Sequence, residues 1–84
     1  MSLKPLKLKE RLDALKDNPK ALYLFSRYVL KAPWPAAEPY ILKDPKMAMH
    51  YAYYVKQKLW PELENILQGE DISIYNWNMR YFHY

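Results

Sequence analysis

Residues 18–42, NPKALYLFSRYVLKAPWPAAEPYIL, lie over residues 44–68, DPKMAMHYAYYVKQKLWPELENILQ, without a gap at an offset of 26. Pro19 meets Pro45, Lys20 meets Lys46, Tyr28 meets Tyr54 and Val29 meets Val55. Trp34-Pro35 meets Trp60-Pro61, and Glu38 meets Glu64. Conservative pairs fill the interval, among them Asn18 with Asp44, Phe25 with Tyr51 and Ile41 with Leu67. So many matches in one ungapped register mark an internal duplication, and its period suits a helical repeat.

Each unit reads as two short helices. Asn18 and Asp44 are N-cap residues, whose side chains accept a backbone N–H bond worth about 1 kcal/mol. The Pro after each takes the first helical position, where a missing N–H costs nothing. The first helices are expected to run to about Lys31 and Gln57. Leu22, Phe25 and Val29 then share one face, as do Ala48, Tyr51 and Val55. Ala21 with Tyr28, and Met47 with Tyr54, widen that stripe. A residue before Pro avoids the α region, so Trp34 and Trp60 end these helices. Each following Pro opens a second, shorter helix over about residues 35–42 and 61–68. Glu38 and Glu64 fall in its first turn, at the positive end of the dipole. Pro39 sits late for a first-turn proline, which predicts a bent or partly 3₁₀ segment. The Trp-Pro pair is thus punctuation with an anchor, its indole buried between the two helices of its unit. Gly69, the only glycine, follows the second short helix as a C-cap candidate.

The pattern Asp/Asn-Pro-x-x-Ala-x-x-Tyr-Ala-x-x-Val…Trp-Pro-x-x-Glu-x-x-Ile resembles a short helical repeat that recurs, often in tandem, in uncharacterised proteins of bacteriophages and bacteria. Here Asp44, Pro45, Ala48, Tyr51, Ala52, Val55, Trp60, Pro61, Glu64 and Leu67 carry it, with Ser26 of the first unit standing where the second has Ala52. The resemblance spans about residues 14–68. It implies an α-helical scaffold and a viral origin, and it brings no activity with it.

Outside the two units, LKLKERLDALKD reads as a capping helix, with Leu8, Leu12 and Leu15 inward and Lys7, Lys9, Arg11 and Lys16 outward. After Gly69, Ile74, Trp77, Tyr81 and Tyr84 fit one helical face with Asp71 or Asn76 as cap, although Ile72 and Ile74 argue weakly for a strand. A terminal helix, a degenerate third copy of the first-helix type, fits better. The expected fold is therefore all-α: about five short helices in one domain of residues 1–84. Its parts are a capping helix (5–17), repeat one (18–43), repeat two (44–69) and a C-terminal aromatic segment (70–84).

Composition narrows the chemistry. The chain has 84 residues, enough for one modest core in which nine Tyr and three Trp must supply much of the buried surface. It has no cysteine and no threonine, three serines (Ser2, Ser26, Ser73) and two histidines (His50, His83), so no nucleophile–base pair suggests itself. Neither histidine has a second histidine or a carboxylate one turn away, which disfavours a metal site. One glycine excludes a Gly-rich phosphate loop. Glu38 and Glu64 occupy equivalent positions, and helix-terminus stabilisation explains both without catalysis. The expectation is a non-enzyme with no catalytic, cofactor-binding or metal-binding residues and no small-molecule substrate. The absence of cysteine, of a signal-peptide-like run and of a membrane span fits a cytoplasmic protein, in the host cytoplasm if viral.

Three functions suit such a chain. Net charge is +5 over residues 1–31 and −3 over residues 62–84. The first function is a protein-interaction module, acting on a host or viral protein. Its contacts would be the C-terminal aromatics Tyr75, Trp77, Tyr81, Phe82 and Tyr84, which occupy too many angles around a helix for all to face inward. The second is nucleic-acid binding through the basic half, with Lys20, Arg27 and Lys31 as contacts. Acidic residues Glu10, Asp13 and Asp17 interrupt that basic run. The third is self-assembly, a homodimer or higher oligomer covering the apolar ends of a short stack.

Overall fold

A computed structural model describes the backbone of residues 7–83 and the side chains of residues 7–80. The described residues are helical and turn, with no strand. Six α-helices follow one another: α1 (Leu8–Leu15), α2 (Pro19–Phe25), α3 (Glu38–Ile41), α4 (Pro45–Tyr51), α5 (Pro61–Glu64) and α6 (Glu70–His83). The chain is thus all-α, and its C-terminal segment is helix.

The two helix starts are built as their residues dictate. Asn18 Oδ1 accepts the Ala21 N–H at 3.1 Å, and Asp44 Oδ1 accepts the Lys46 and Met47 N–H groups at 3.2 and 3.4 Å. The helix ends follow a rule that periodicity does not reveal. Both α2 and α4 widen into a π-helical turn, Ser26–Leu30 and Ala52–Lys56. There Lys31 N–H donates to the Ser26 carbonyl, and Gln57 N–H to the Ala52 carbonyl at 2.9 Å, five residues back. Lys31 and Gln57 then take left-handed backbone, with φ of 54° and 56°.

The extra residue in that turn rotates the downstream side chains about the helix axis. Val29, expected inward with Leu22 and Phe25, is 63% exposed, and Tyr28 and Tyr54 are also exposed. The buried set is instead Leu22, Tyr23 and Ser26 in the first unit, and Ala48, Met49, Tyr51 and Ala52 in the second. Ser26 hydroxyl is satisfied by donating to the Leu22 carbonyl at 2.8 Å.

Pro39 explains the difference between the two short helices. Asn65 N–H donates to the Pro61 carbonyl at 3.0 Å, an α-type bond that makes Pro61–Glu64 a true α turn. Its counterpart Pro39 has no N–H, and Pro35–Ala37 tightens to 3₁₀: Glu38 N–H donates to the Pro35 carbonyl three residues back, where Glu64 N–H reaches the Trp60 carbonyl four residues back. Gly69 takes φ +59° before α6.

Trp34 and Trp60 are buried, as the Trp-Pro reading requires. Trp34 tilts against Phe25 at 5.2 Å between ring centres, and Trp60 against Tyr51 at 5.3 Å, each on the first helix of its own unit. Ala37, Ile41, Leu63 and Leu67 complete the core from the short helices, and Tyr75 and Met79 from α6. Helix α1 contributes less than its pattern suggests: Leu12 and Leu15 are half-buried, but Leu8 is 49% exposed. Arg11, expected outward, folds over the Phe25 ring at 5.3 Å from its centre.

Candidate functional site

The rings of α4 and α6 reach back to the preceding unit. Tyr51 hydroxyl accepts the Trp34 backbone N–H at 2.7 Å and donates to Glu38 Oε2 at 2.8 Å. Tyr75 hydroxyl accepts the Trp60 N–H at 2.8 Å and donates to Glu64 Oε2 at 2.8 Å. The Trp-Pro-x-x-Glu motif is therefore a socket for a tyrosine hydroxyl, with the Trp N–H as donor and the Glu carboxylate as acceptor. Lys56 holds the first socket further, 3.1 Å from Glu38 Oε1 and 5.0 Å above the Trp60 ring. Burial raises the Tyr51 hydroxyl well above the usual range and the Tyr75 hydroxyl to about 12; in both the neighbouring carboxylate adds to it. The dipole account of Glu38 and Glu64 missed this role. A visible signal existed: the first unit has Phe25 where the second has Tyr51, and one period before Glu38 stands Leu12. Hydroxyl and carboxylate are absent together.

Tyr75 is fully buried in this socket, so its assignment as a surface contact is corrected. The inward face of α6 is Ile72, Tyr75 and Met79, in place of the predicted face led by Ile74 and Trp77. Trp77 is 63% exposed and Ile74 is 47% exposed, one turn apart on the outer side. The side chains of Tyr81, Phe82 and Tyr84 lie outside the described residues.

Between α4 and α6 runs a groove of about 410 Å³, lined by Lys46, Met49, His50, Tyr53, Tyr54, Asp71, Ile74 and Asn78. His50 Nδ1 sits 2.7 Å from the Lys46 carbonyl, which can only accept, so Nδ1 carries the hydrogen and neutral His50 has Nε2 as an acceptor. Tyr53 stacks on Tyr75 at 6.3 Å, and its hydroxyl is buried beside Asn78 without a well-formed hydrogen bond. Burial raises that phenol.

The basic residues divide. Arg27 and Lys31 line one cleft of about 420 Å³ with Ser26, Ala32, Pro33, Tyr54, Val55 and Gln57, and no acidic residue lines it. Lys20, exposed at the start of α2, is not among them. Arg27 is held by rings: its Nη1 donates to the Tyr23 hydroxyl at 2.7 Å, and its guanidinium lies 4.1 Å from the Tyr54 ring centre and 4.9 Å from that of Tyr28.

Among the described residues, no group of three or more His, Asp or Glu side chains could hold a metal ion, and no helix is long and apolar enough to cross a membrane. No protein-family model, curated protein or solved structure matches this chain.

Proposed function

We propose that this chain is a non-enzymatic protein-interaction module, built from two 26-residue helix-pair units in series, whose contact surface is the outer side of α6. The serial arrangement is supported by equal backbone at equivalent positions: Trp34 and Trp60 both have φ −126°, and Lys31 and Gln57 agree within a few degrees. The long axis supports it too. The molecule measures 51 × 25 × 15 Å, and its radius of gyration of 13.9 Å exceeds the roughly 12 Å of a compact domain this size. Resemblance to phage and bacterial repeats favours a host cytoplasm as its setting.

The observation that carries the function is Trp77. Two of the three tryptophans are core, while the third stands largely exposed on α6 beside exposed Ile74. Tryptophan is the residue that most often dominates a protein interface, and a paired apolar surface of this kind suits a protein partner. Affinity capture from nuclease-treated cell lysate tests the reading. The unaltered protein is expected to retain a protein that the Ile74→Lys, Trp77→Lys double variant loses while keeping its helical circular dichroism. Capture that disappears on nuclease treatment alone overturns it.

Nucleic-acid binding has one observation in its favour, the Arg27–Lys31 cleft without a carboxylate. It requires affinity for DNA or RNA that falls steeply with salt and is removed by reversing Lys20, Arg27 and Lys31 to Glu.

A further inference from the structure

The groove between α4 and α6 has a counterpart one unit earlier, and that counterpart is occupied. Shifting Tyr23, Arg27 and Tyr28 by one period gives Met49, Tyr53 and Tyr54, all lining the open groove. In the first unit the guanidinium of Arg27 packs at 4.9 Å on Tyr28, the counterpart of Tyr54, and bonds the Tyr23 hydroxyl; its nearer ring contact, Tyr54 at 4.1 Å, has Arg80 as its counterpart one period on. In the second unit Tyr53 stands at the Arg27 position and lies over Tyr75, leaving about 410 Å³ open. The chain thus displays what this kind of groove holds and then leaves one without it.

We propose that the α4–α6 groove receives an arginine side chain of a protein partner, packed on Tyr54 from the side opposite Arg27 and paired with Asp71. This rests on the interaction-module reading and names the chemistry of its partner. The carboxylate is the second reason for the assignment. Asp71 is half-buried in the groove wall and makes no ion pair among the described residues. The acceptor used by Arg27 is lost here, because Met49 replaces Tyr23; Asp71 and the His50 Nε2 lone pair supply acceptors in its stead. A planar, five-donor guanidinium can stack on a ring and meet a carboxylate edge-on at once, which an ammonium cannot. Lys46 on the groove wall does not oppose this: its counterpart Lys20 stands two helical turns from Arg27 in the filled groove.

Titration of the intact protein with a capped Gly-Arg-Gly peptide, followed by amide chemical shifts, tests the assignment. Shifts are expected at Tyr54, Asp71 and Ile74, with the capped Gly-Lys-Gly peptide several-fold weaker. Asp71→Asn should weaken the arginine peptide about tenfold or more, the worth of one charge-assisted hydrogen bond. Tyr53→Arg should plug the groove as Arg27 does and abolish the shifts. Equal response to the lysine peptide, shifts mapping elsewhere, or indifference to Asp71→Asn in a folded protein overturns the assignment. If that happens while the Ile74, Trp77 double variant still loses its captured protein, the interaction module stands and only the arginine is wrong. If both tests fail, the module reading falls with it.

Discussion

One oxygen atom on Tyr51 joins two units, and its removal is a clean experiment. Tyr51→Phe keeps the ring in the core but leaves the Trp34 N–H buried without an acceptor. An unpaired buried donor costs about 1–3 kcal/mol, so the urea midpoint should fall accordingly, and Tyr75→Phe should match it through the Trp60 N–H. Alkaline pH probes the same atoms. The folded Tyr75 hydroxyl titrates near 12 and the unfolded one near 10, with Tyr51 raised in the same direction. Between those values the folded state holds protons that the unfolded state has released. The stability from these two groups is therefore complete below about pH 10 and is lost as pH rises towards 12 and beyond. Tyrosinate absorbance and circular dichroism recorded together should show these two tyrosines ionising with unfolding. The sequence marked Glu38 and Glu64 as equivalent but could not show their partners, which lie 13 and 11 residues further along the chain. Only the pairing of Phe25 with Leu12, against Tyr51 with Glu38, hinted at a coupled exchange.

At the scale of elements, the helix ends decide which faces are buried. Caps and prolines are local, and Asn18, Asp44, Trp34-Pro35 and Trp60-Pro61 could be read directly because each acts within a few residues of itself. The π turns could not. SRYVLK and AYYVKQ carry no residue that demands an inserted step, and a 3.6-residue period places Val29 inward when it stands outward. In α6, a regular α-helix, a different choice of face placed Ile74 and Trp77 inward, whereas Ile72, Tyr75 and Met79 are the residues that pack on the core. The left-handed residues closing the π turns give this a measurable form. A non-glycine residue there costs roughly 1–2 kcal/mol, partly offset by the extra unfolded-state freedom of glycine, about 0.5–1 kcal/mol. Lys31→Gly and Gln57→Gly should each stabilise by about 0.5–1 kcal/mol, a rise of a few degrees in Tm. Gly69→Ala should do the opposite by about 1 kcal/mol. Nothing lies within 4 Å of an added Cβ there, so the cost comes from the backbone torsion alone.

Over the whole molecule, each helix leans on helices near it in the chain. α4 packs on α2, α3 and α5, and α6 packs on the π turn after α4. Trp34→Ala and Trp60→Ala each remove a buried indole, a loss of about 3–5 kcal/mol and much of what a domain this size has. Cooperative thermal unfolding followed by circular dichroism should broaden or vanish in both; melting like the parent would show that the indoles carry little of the fold. The hydroxyl sockets add a direction to these contacts, since each is made by an earlier stretch of chain and filled by a later one. During synthesis, the Trp34 amide waits for Tyr51, and the Trp60 amide waits for Tyr75, 24 residues after Tyr51. At a ribosomal pace of about 5–20 residues per second, the second closure trails the first by roughly 1–5 s. The nascent protein therefore seals from its beginning towards its end, and an arrested chain lacking Tyr75 should keep its first unit protected from hydrogen exchange while the Trp60 amide exchanges freely.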